Sequence, residues 1–286
     1  MSGKRLKQSG QASSIGTAAE PVVIVGAGNM GGAIALALAA NGDASHLLLI
    51  DPAPGRALAE SLAARGARFA TDAAGLTNVS PTAILLAIKP QLMAQVAPSY
   101  APYAQRALFI SVAAGTTLQS LDTWLAGPAA LVRCMPNLPA SIGMGVTAAV
   151  ARQGTPASAK AMAEQILRTV GDFIWLEDEA QLDAVTAVSG SGPAYVFHLV
   201  ECLAAAGIQQ GLPEDVANLL ARRTIEGAGA LLGQSTSSPA ELRTSVTSPG
   251  GTTEAALRVL MDNRRTEKLF SEAVASATQR ARELSK

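Results

Sequence analysis

The feature that most limits what this chain can fold into is a short β-branched run, Val22–Val25, followed at once by the turn Gly26-Ala27-Gly28-Asn29-Met30-Gly31 and an Ala-rich helical stretch over residues 33–40. A strand feeding a G-x-G-x-x-G turn that opens a helix is the βαβ fingerprint of dinucleotide binding. The first glycine permits the tight turn, the second lets a pyrophosphate approach the backbone, and the third lets helix and strand pack closely. The helix start offers unpaired N–H groups and the positive end of the helix dipole to the phosphates. In a chain with 26 glycines the bare motif would say little. Its place between a strand and a helix gives it weight.

The pattern then repeats. Residues 46–50 read as a second buried strand ending at Asp51, and 57–64 as helix. Further strands are expected over 83–88, 108–112 and 131–133. A helix beginning at Thr155-Pro156 runs to about Val170, and a last strand covers 173–176. Strand and helix alternating in this way predict an α/β, doubly wound, mainly parallel sheet of Rossmann type. Beyond Glu177 the strand signal stops. Residues 182–188, 193–207, 213–233, 239–246 and 253–285 all suit helices, with Gly, Pro and Ser at the joints.

The expected organisation is therefore a flexible extension over 1–20, a dinucleotide-binding domain over 21–176, and an all-helical substrate and dimerisation domain over 177–286. The helical part is too small to bury several long helices alone, so it is expected to complete its core against another subunit.

Composition narrows the class. Hydrophobic residues make up 49% and aromatics 3%, so the core must come from Ala, Leu, Val and Ile. Lys+Arg and Asp+Glu both total 22, which gives no basic excess for nucleic acid or an anionic membrane. No apolar run reads as long and unbroken enough to cross a bilayer. The first residues lack the apolar stretch of a secretory signal. Cys134 and Cys202 read as buried free thiols of a cytoplasmic protein. With His46 and His198 the only histidines, neither a metal site nor a Ser/His/Asp triad can be read from the sequence.

Asp51 stands about 20 residues past the last motif glycine, where it would bond ribose hydroxyls and repel a 2′-phosphate. Arg56 could instead receive that phosphate, so NAD and NADP both stay open. Lys89-Pro90 ends the next strand, where Lys89 could reach a nicotinamide ribose. Ala113 and Ala114 are small enough for a flat ring to lie on, and Asn137 could bond an amide or ribose, or cap a turn. Two loops, Ser189-Gly190-Ser191-Gly192-Pro193 and Thr247-Ser248-Pro249-Gly250-Gly251-Thr252-Thr253, each precede a helix. The second suits a substrate carboxylate, and plain N-capping is the alternative for both.

At these residues the chain resembles the pyrroline-5-carboxylate reductases. The matching stretches are GAGNMG (26–31), LLAIKPQ (85–91), RCMPNLPASIGMGVTA (133–148), AVTAVSGSGPAYVF (184–197) and ELRTSVTSPGGTTEAALRVL (241–260). The resemblance implies a Rossmann domain joined to a helical dimerisation domain. It implies homodimers that assemble further, commonly into decamers, and NADPH- or NADH-dependent reduction of 1-pyrroline-5-carboxylate to L-proline. It places the nucleotide loop on Gly26–Gly31, with Asn29 and Met30, and the strand-end Lys-Pro on Lys89 and Pro90. It places the Met-Pro-Asn turn on Met135–Asn137 and the carboxylate contacts on Ser248 and the Gly251, Thr252 and Thr253 amides. The hydroxyl facing the ring nitrogen falls on Thr253. Asp51 departs from the family, many of whose members carry a small polar or neutral residue there.

Two rival readings remain. A β-hydroxyacid dehydrogenase would need a catalytic Lys shortly after the 189–193 turn, where this chain has Ala194-Tyr195-Val196-Phe197. A protein that binds NAD(P) without turnover shares the fold, but would not need the 247–253 loop.

Overall fold

The computed structural model describes residues 15–285, so most of the expected 1–20 extension lies outside the described residues. The chain divides into two compact units. One runs to Gly190 and takes in the chain end from Ala281, and the other is Ser191–Arg280.

The first unit is built on an eight-stranded sheet among the described residues. Its strands are β1 (Val22–Val25), β2 (Leu47–Ile50), β3 (Arg68–Ala70), β4 (Ala83–Leu86), β5 (Leu108–Ser111), β6 (Ala130–Met135), β7 (Gly145–Ala151) and β8 (Gly171–Trp175). The order is 3-2-1-4-5-6-7-8. All neighbours pair in parallel except β6 with β7. The strand order reverses between β1 and β4, and in such sheets ligands bind in the crevice at that switch point.

Strands of VVIV, LLLI and AILL are wholly buried because both sheet faces are covered. Val22 and Ile24 join a core with Ile34 and Leu38 of α1 (Asn29–Leu38) and Ile166 of α5 (Ala157–Leu167). Val23 and Val25 join the opposite core, with Met93 of α3 (Pro90–Val96) and Leu121 of α4 (Leu118–Trp124). Helix α2 (Arg56–Ala63) follows β2, and α6 (Gln181–Val185) follows β8.

Two strands were not foreseen. β3 is three residues long with an exposed Arg68, too short for a periodic signal. β7 is GVTAAVA, whose small residues hide its alternation, and it turns antiparallel after the 3-10 turn Leu138–Ile142.

The second unit carries α7 (Gly192–Gln209), α8 (Glu214–Gln234), α9 (Pro239–Ser245), α10 (Thr252–Met261) and most of α11 (Arg265–Leu284). The single helix expected over 253–285 is broken at Asp262–Arg264, where Asn263 and Arg264 take φ values of 50° and 57°. Asp262 and Asn263, poor helix formers of which Asn tolerates positive φ, are the local mark of that break, and the helix formers on both sides mask it. Helical structure also runs over Gln181–Gln209 with only a bend at Ser191, 29 residues that are long and apolar enough, by length and composition, to cross a membrane. The sequence reading had Ser189–Pro193 interrupting this run. Of the two cysteines expected to be buried, Cys134 is, and Cys202 lies exposed on α7.

Candidate active site

The glycine loop explains itself residue by residue. Gly26 has φ +95°, and a Cβ there would sit 2.5 Å from the Ala87 carbonyl oxygen. A Cβ on Gly31 would run into the Gly26 carbonyl oxygen. At Gly28 nothing lies within 4 Å of where a Cβ would be. Two glycines thus close the packing and the middle one leaves open space. Helix α1 starts from Gly28 with no side-chain cap and no acidic residue in its first turn. Its first N–H groups are available to an outside acceptor. Asn29 is exposed at the helix start, and Met30 packs against the core.

Asp51 leaves the end of β2 and is held at both oxygens. Oδ2 accepts from Ala27 N–H at 2.7 Å and Oδ1 from Ala53 N–H at 2.8 Å. The carboxylate thus ties the glycine loop to the start of the next turn. Each oxygen keeps a further lone pair for a ribose hydroxyl.

A cleft of about 560 Å³ opens here, at the carboxyl ends of β1, β2, β3 and β4, with Gly26, Gly28, Asp51 and Lys89 on its wall. That volume lies in the range of cofactor sites. Lys89 precedes α3, whose first residue is Pro90. Arg56 stands at the start of α2 with 91% of its side chain exposed, paired to Glu60 at 2.7 Å.

The sequence reading missed the cleft's outer wall, formed by Thr71, Asp72, Ser99 and Tyr100. Burial, then the Asp72 charge, pushes the Tyr100 phenol up from its ordinary range. Thr71 and Asp72 follow the unforeseen β3, and Ser99 and Tyr100 lie in the 3-10 segment Ala97–Tyr103, where two prolines hide any helical period.

Beyond β5, Ala113 is buried and Ala114 half-buried. Asn137 Oδ1 accepts from Val146 N–H at 3.0 Å, so the side chain braces the start of β7 and leaves its NH₂ end for another acceptor.

In the second unit, the 247–253 loop links α9 to α10. Gly251 is the N-cap of α10 and no side chain caps it. At α9, by contrast, Ser238 and Glu241 form a full capping box. Thr247 Oγ1 donates back to the Arg243 carbonyl, and Gly251 N–H donates to the Ser248 carbonyl. Gly250 N–H donates to Glu254 at 2.8 Å. Thr252 and Thr253 occupy the first turn, with Ser248 exposed beside them. Simple N-capping by the loop's hydroxyls is therefore not what this loop does.

The Ser189–Pro193 stretch is not a loop. Thr186–Gly190 is a π-helical turn and α7 begins at Gly192. Among the described residues no cluster of three His, Cys, Asp or Glu could hold a metal ion.

Comparison with known proteins agrees with this geometry. A family model described as "Pyrroline-5-carboxylate reductase dimerisation" matches residues 179–284, and one described as "NADP oxidoreductase coenzyme F420-dependent" matches 21–115. The pyrroline-5-carboxylate reductase of Pseudomonas aeruginosa is 40% identical over 269 residues, covering 92% of this chain and 96% of the relative. The solved structure of a pyrroline-5-carboxylate reductase from Coxiella burnetii superposes with a TM-score of 0.84 at 34% identity, covering 94% of this chain and 99% of that one. The Plasmodium falciparum pyrroline carboxylate reductase with NADP bound gives 0.78 at 25% identity, over 95% of this chain and all of that one. The chain belongs to the pyrroline-5-carboxylate reductase family.

Proposed function

We propose that this protein reduces 1-pyrroline-5-carboxylate to L-proline with NADH or NADPH, as the last step of proline biosynthesis. The observation that carries the reading is that the two family models span the glycine loop in one half and the 247–253 loop in the other.

The residues present fit a dinucleotide, since Gly28 leaves space and the α1 start is uncapped. When bound, the cofactor supplies a hydride from its reduced nicotinamide ring. Gly26–Gly31 hold the pyrophosphate, with Asn29 and Met30 at the helix start, and Asp51 holds the adenosine ribose. Arg56, exposed and not part of the cleft wall, serves only if it leaves Glu60. Lys89 and Pro90 bound the nicotinamide ribose, and Ala113, Ala114 and Asn137 receive the nicotinamide.

For the substrate, the Thr252 and Thr253 amides and the Ser248 hydroxyl hold the carboxylate; the Gly251 N–H, which donates to the Ser248 carbonyl, joins them only if it leaves that bond. The Thr253 hydroxyl faces the ring nitrogen. As hydride bonds to the imine carbon, the C=N π pair moves to nitrogen, which carries a proton and ends as an amine. No strong acid is needed. Thr253 orients that nitrogen with a hydrogen bond that changes along the reaction.

The same reading makes residues 177–286 a dimerisation domain. Phe197, Leu219 and Leu269, each more than half exposed, lie on its helices α7, α8 and α11. A second copy would cover that surface. The dimers assemble further, with a decamer as the expected form, in the cytoplasm. The test is cofactor oxidation. NADH or NADPH absorbance should fall when 1-pyrroline-5-carboxylate is added and stay level with a 3-hydroxyacid and the oxidised cofactor. Turnover of the hydroxyacid, with none of the imine, would overturn the reading.

A further inference from the structure

The Val112–Thr116 loop, which follows β5, is held by residues far away in the chain. Gly115 has φ +73°, and a Cβ there would stand 2.8 Å from the Leu284 carbonyl oxygen and 3.1 Å from the Leu284 Cβ. The end of α11 therefore lies against the bare backbone of Gly115. That end is itself anchored. Ala281 is buried, and the one Ser285 O–H proton is shared between the Ala281 carbonyl at 3.0 Å and Asp183 of α6 at a longer 3.4 Å. Asp183 is one of two buried charged residues, with Arg133, among the described residues.

Four residues earlier, Glu179 Oε1 accepts from Leu118 N–H at 2.7 Å and from Arg133 at 2.6 Å. Arg133 is 5% exposed. The loop is thus covered at Gly115 by Leu284, and the helix it leads into, α4, is pinned at its first residue, Leu118, by Glu179. None of the braces is part of the βαβ fingerprint.

We propose that the C-terminal Leu284–Ser285 pair is a positioning strap that holds the 113–115 loop in the shape that receives the nicotinamide ring. The proposal rests on the cofactor assignment above. The strap touches neither substrate nor cofactor. It acts by keeping Ala113 and Ala114 in place, and a small misplacement of such a platform is costly to binding and rate. The adenosine end, held by Gly26–Gly31 and Asp51, does not depend on it.

The two ends of the cofactor therefore report separately. A chain ending at Glu283 should bind ADP-ribose as the full chain does, yet bind NADH about tenfold more weakly, with a matching fall in kcat/KM. Ser285→Ala, which frees the end without shortening the chain, should move NADH binding the same way by less. Gly115→Ala adds a second control. Its positive-φ strain is common to both chains, but its clash with Leu284 exists only in the full one. Its cost in NADH binding should therefore shrink in the shortened chain.

Unchanged NADH binding in the shortened chain would overturn the proposal. So would equal weakening of ADP-ribose and NADH, which is the mark of a general loss of structure. A full-length protein that binds neither ligand would overturn the cofactor assignment itself, and the strap with it.

Discussion

Asp51 should set the cofactor preference, and the structure says how firmly. Both of its oxygens are engaged by backbone N–H groups, at 2.7 and 2.8 Å. Swinging the carboxylate away from a 2′-phosphate would break two charge-assisted bonds, each worth about 1.5–3 kcal/mol. The charge therefore stays where it is. Two unit charges 4 Å apart near a protein surface interact by about 4 kcal/mol before salt screening. A net penalty of about 1.5–3 kcal/mol against NADPH is then reasonable, roughly 10- to 150-fold in kcat/KM. Arg56, the cation that could compensate, is solvent-exposed and paired with Glu60. Wild-type protein should use NADH at least as well as NADPH. Asp51→Ser should move the ratio of kcat/KM values toward NADPH by about that factor. Absolute rates should fall with both cofactors, because Ala27 N–H loses its acceptor and the glycine loop loosens. The ratio is thus the quantity to read, from initial rates at saturating 1-pyrroline-5-carboxylate. A wild type that prefers NADPH a hundredfold, or a ratio that the substitution leaves unmoved, refutes the reasoning.

Other residues give equally definite outcomes. Thr253→Val should lower kcat/KM by roughly 5- to 150-fold, the worth of about 1–3 kcal/mol. Its Tm should hold, because Gly251 and not Thr253 is the N-cap of α10; lost stability with normal kcat/KM would reverse that assignment. Gly31→Ala drives a Cβ into the Gly26 carbonyl. It should destabilise by about 1–3 kcal/mol or more and abolish NADH binding, as calorimetry would show. Glu179→Ala strands the buried Arg133 guanidinium. It should cost about 3–5 kcal/mol in urea unfolding, and a loss below about 1 kcal/mol would mean water replaces the carboxylate. Burial lowers the His46 pKa despite nearby Asp43, so the folded state favours neutral imidazole. That contribution is present above the ordinary histidine value and is lost as pH falls through the lowered one. Wild type should lose more Tm than His46→Gln between about pH 7.5 and about pH 5, and equal losses would discount the residue.

What could be read from the sequence follows physical range. The βαβ core was legible because buried parallel strands are short, apolar and punctuated, and because Gly26 and Gly31 answer local steric demands while Gly28 leaves open space. β3 and the cleft wall at Asp72 and Tyr100 were not, since a three-residue strand and a proline-broken turn carry no periodicity. The expectation for Thr253 came from a long motif rather than from spacing, and the uncapped start of α10 supports it. The Leu284–Gly115 contact was out of reach. It joins residues far apart in the chain, and its only local trace is a glycine among many. The break at Asn263 carries a weak signal, since Asp-Asn is a turn pair and Asn tolerates the left-handed region, but the helix formers around it mask that signal.

The most direct measurement follows the hydride itself. Protein incubated with 1-pyrroline-5-carboxylate and nicotinamide cofactor deuterated at C4 should yield L-proline carrying a single deuterium at C5, in step with cofactor oxidised. Proline formed without deuterium from either C4-labelled face, or cofactor oxidised with no proline formed, would contradict the account.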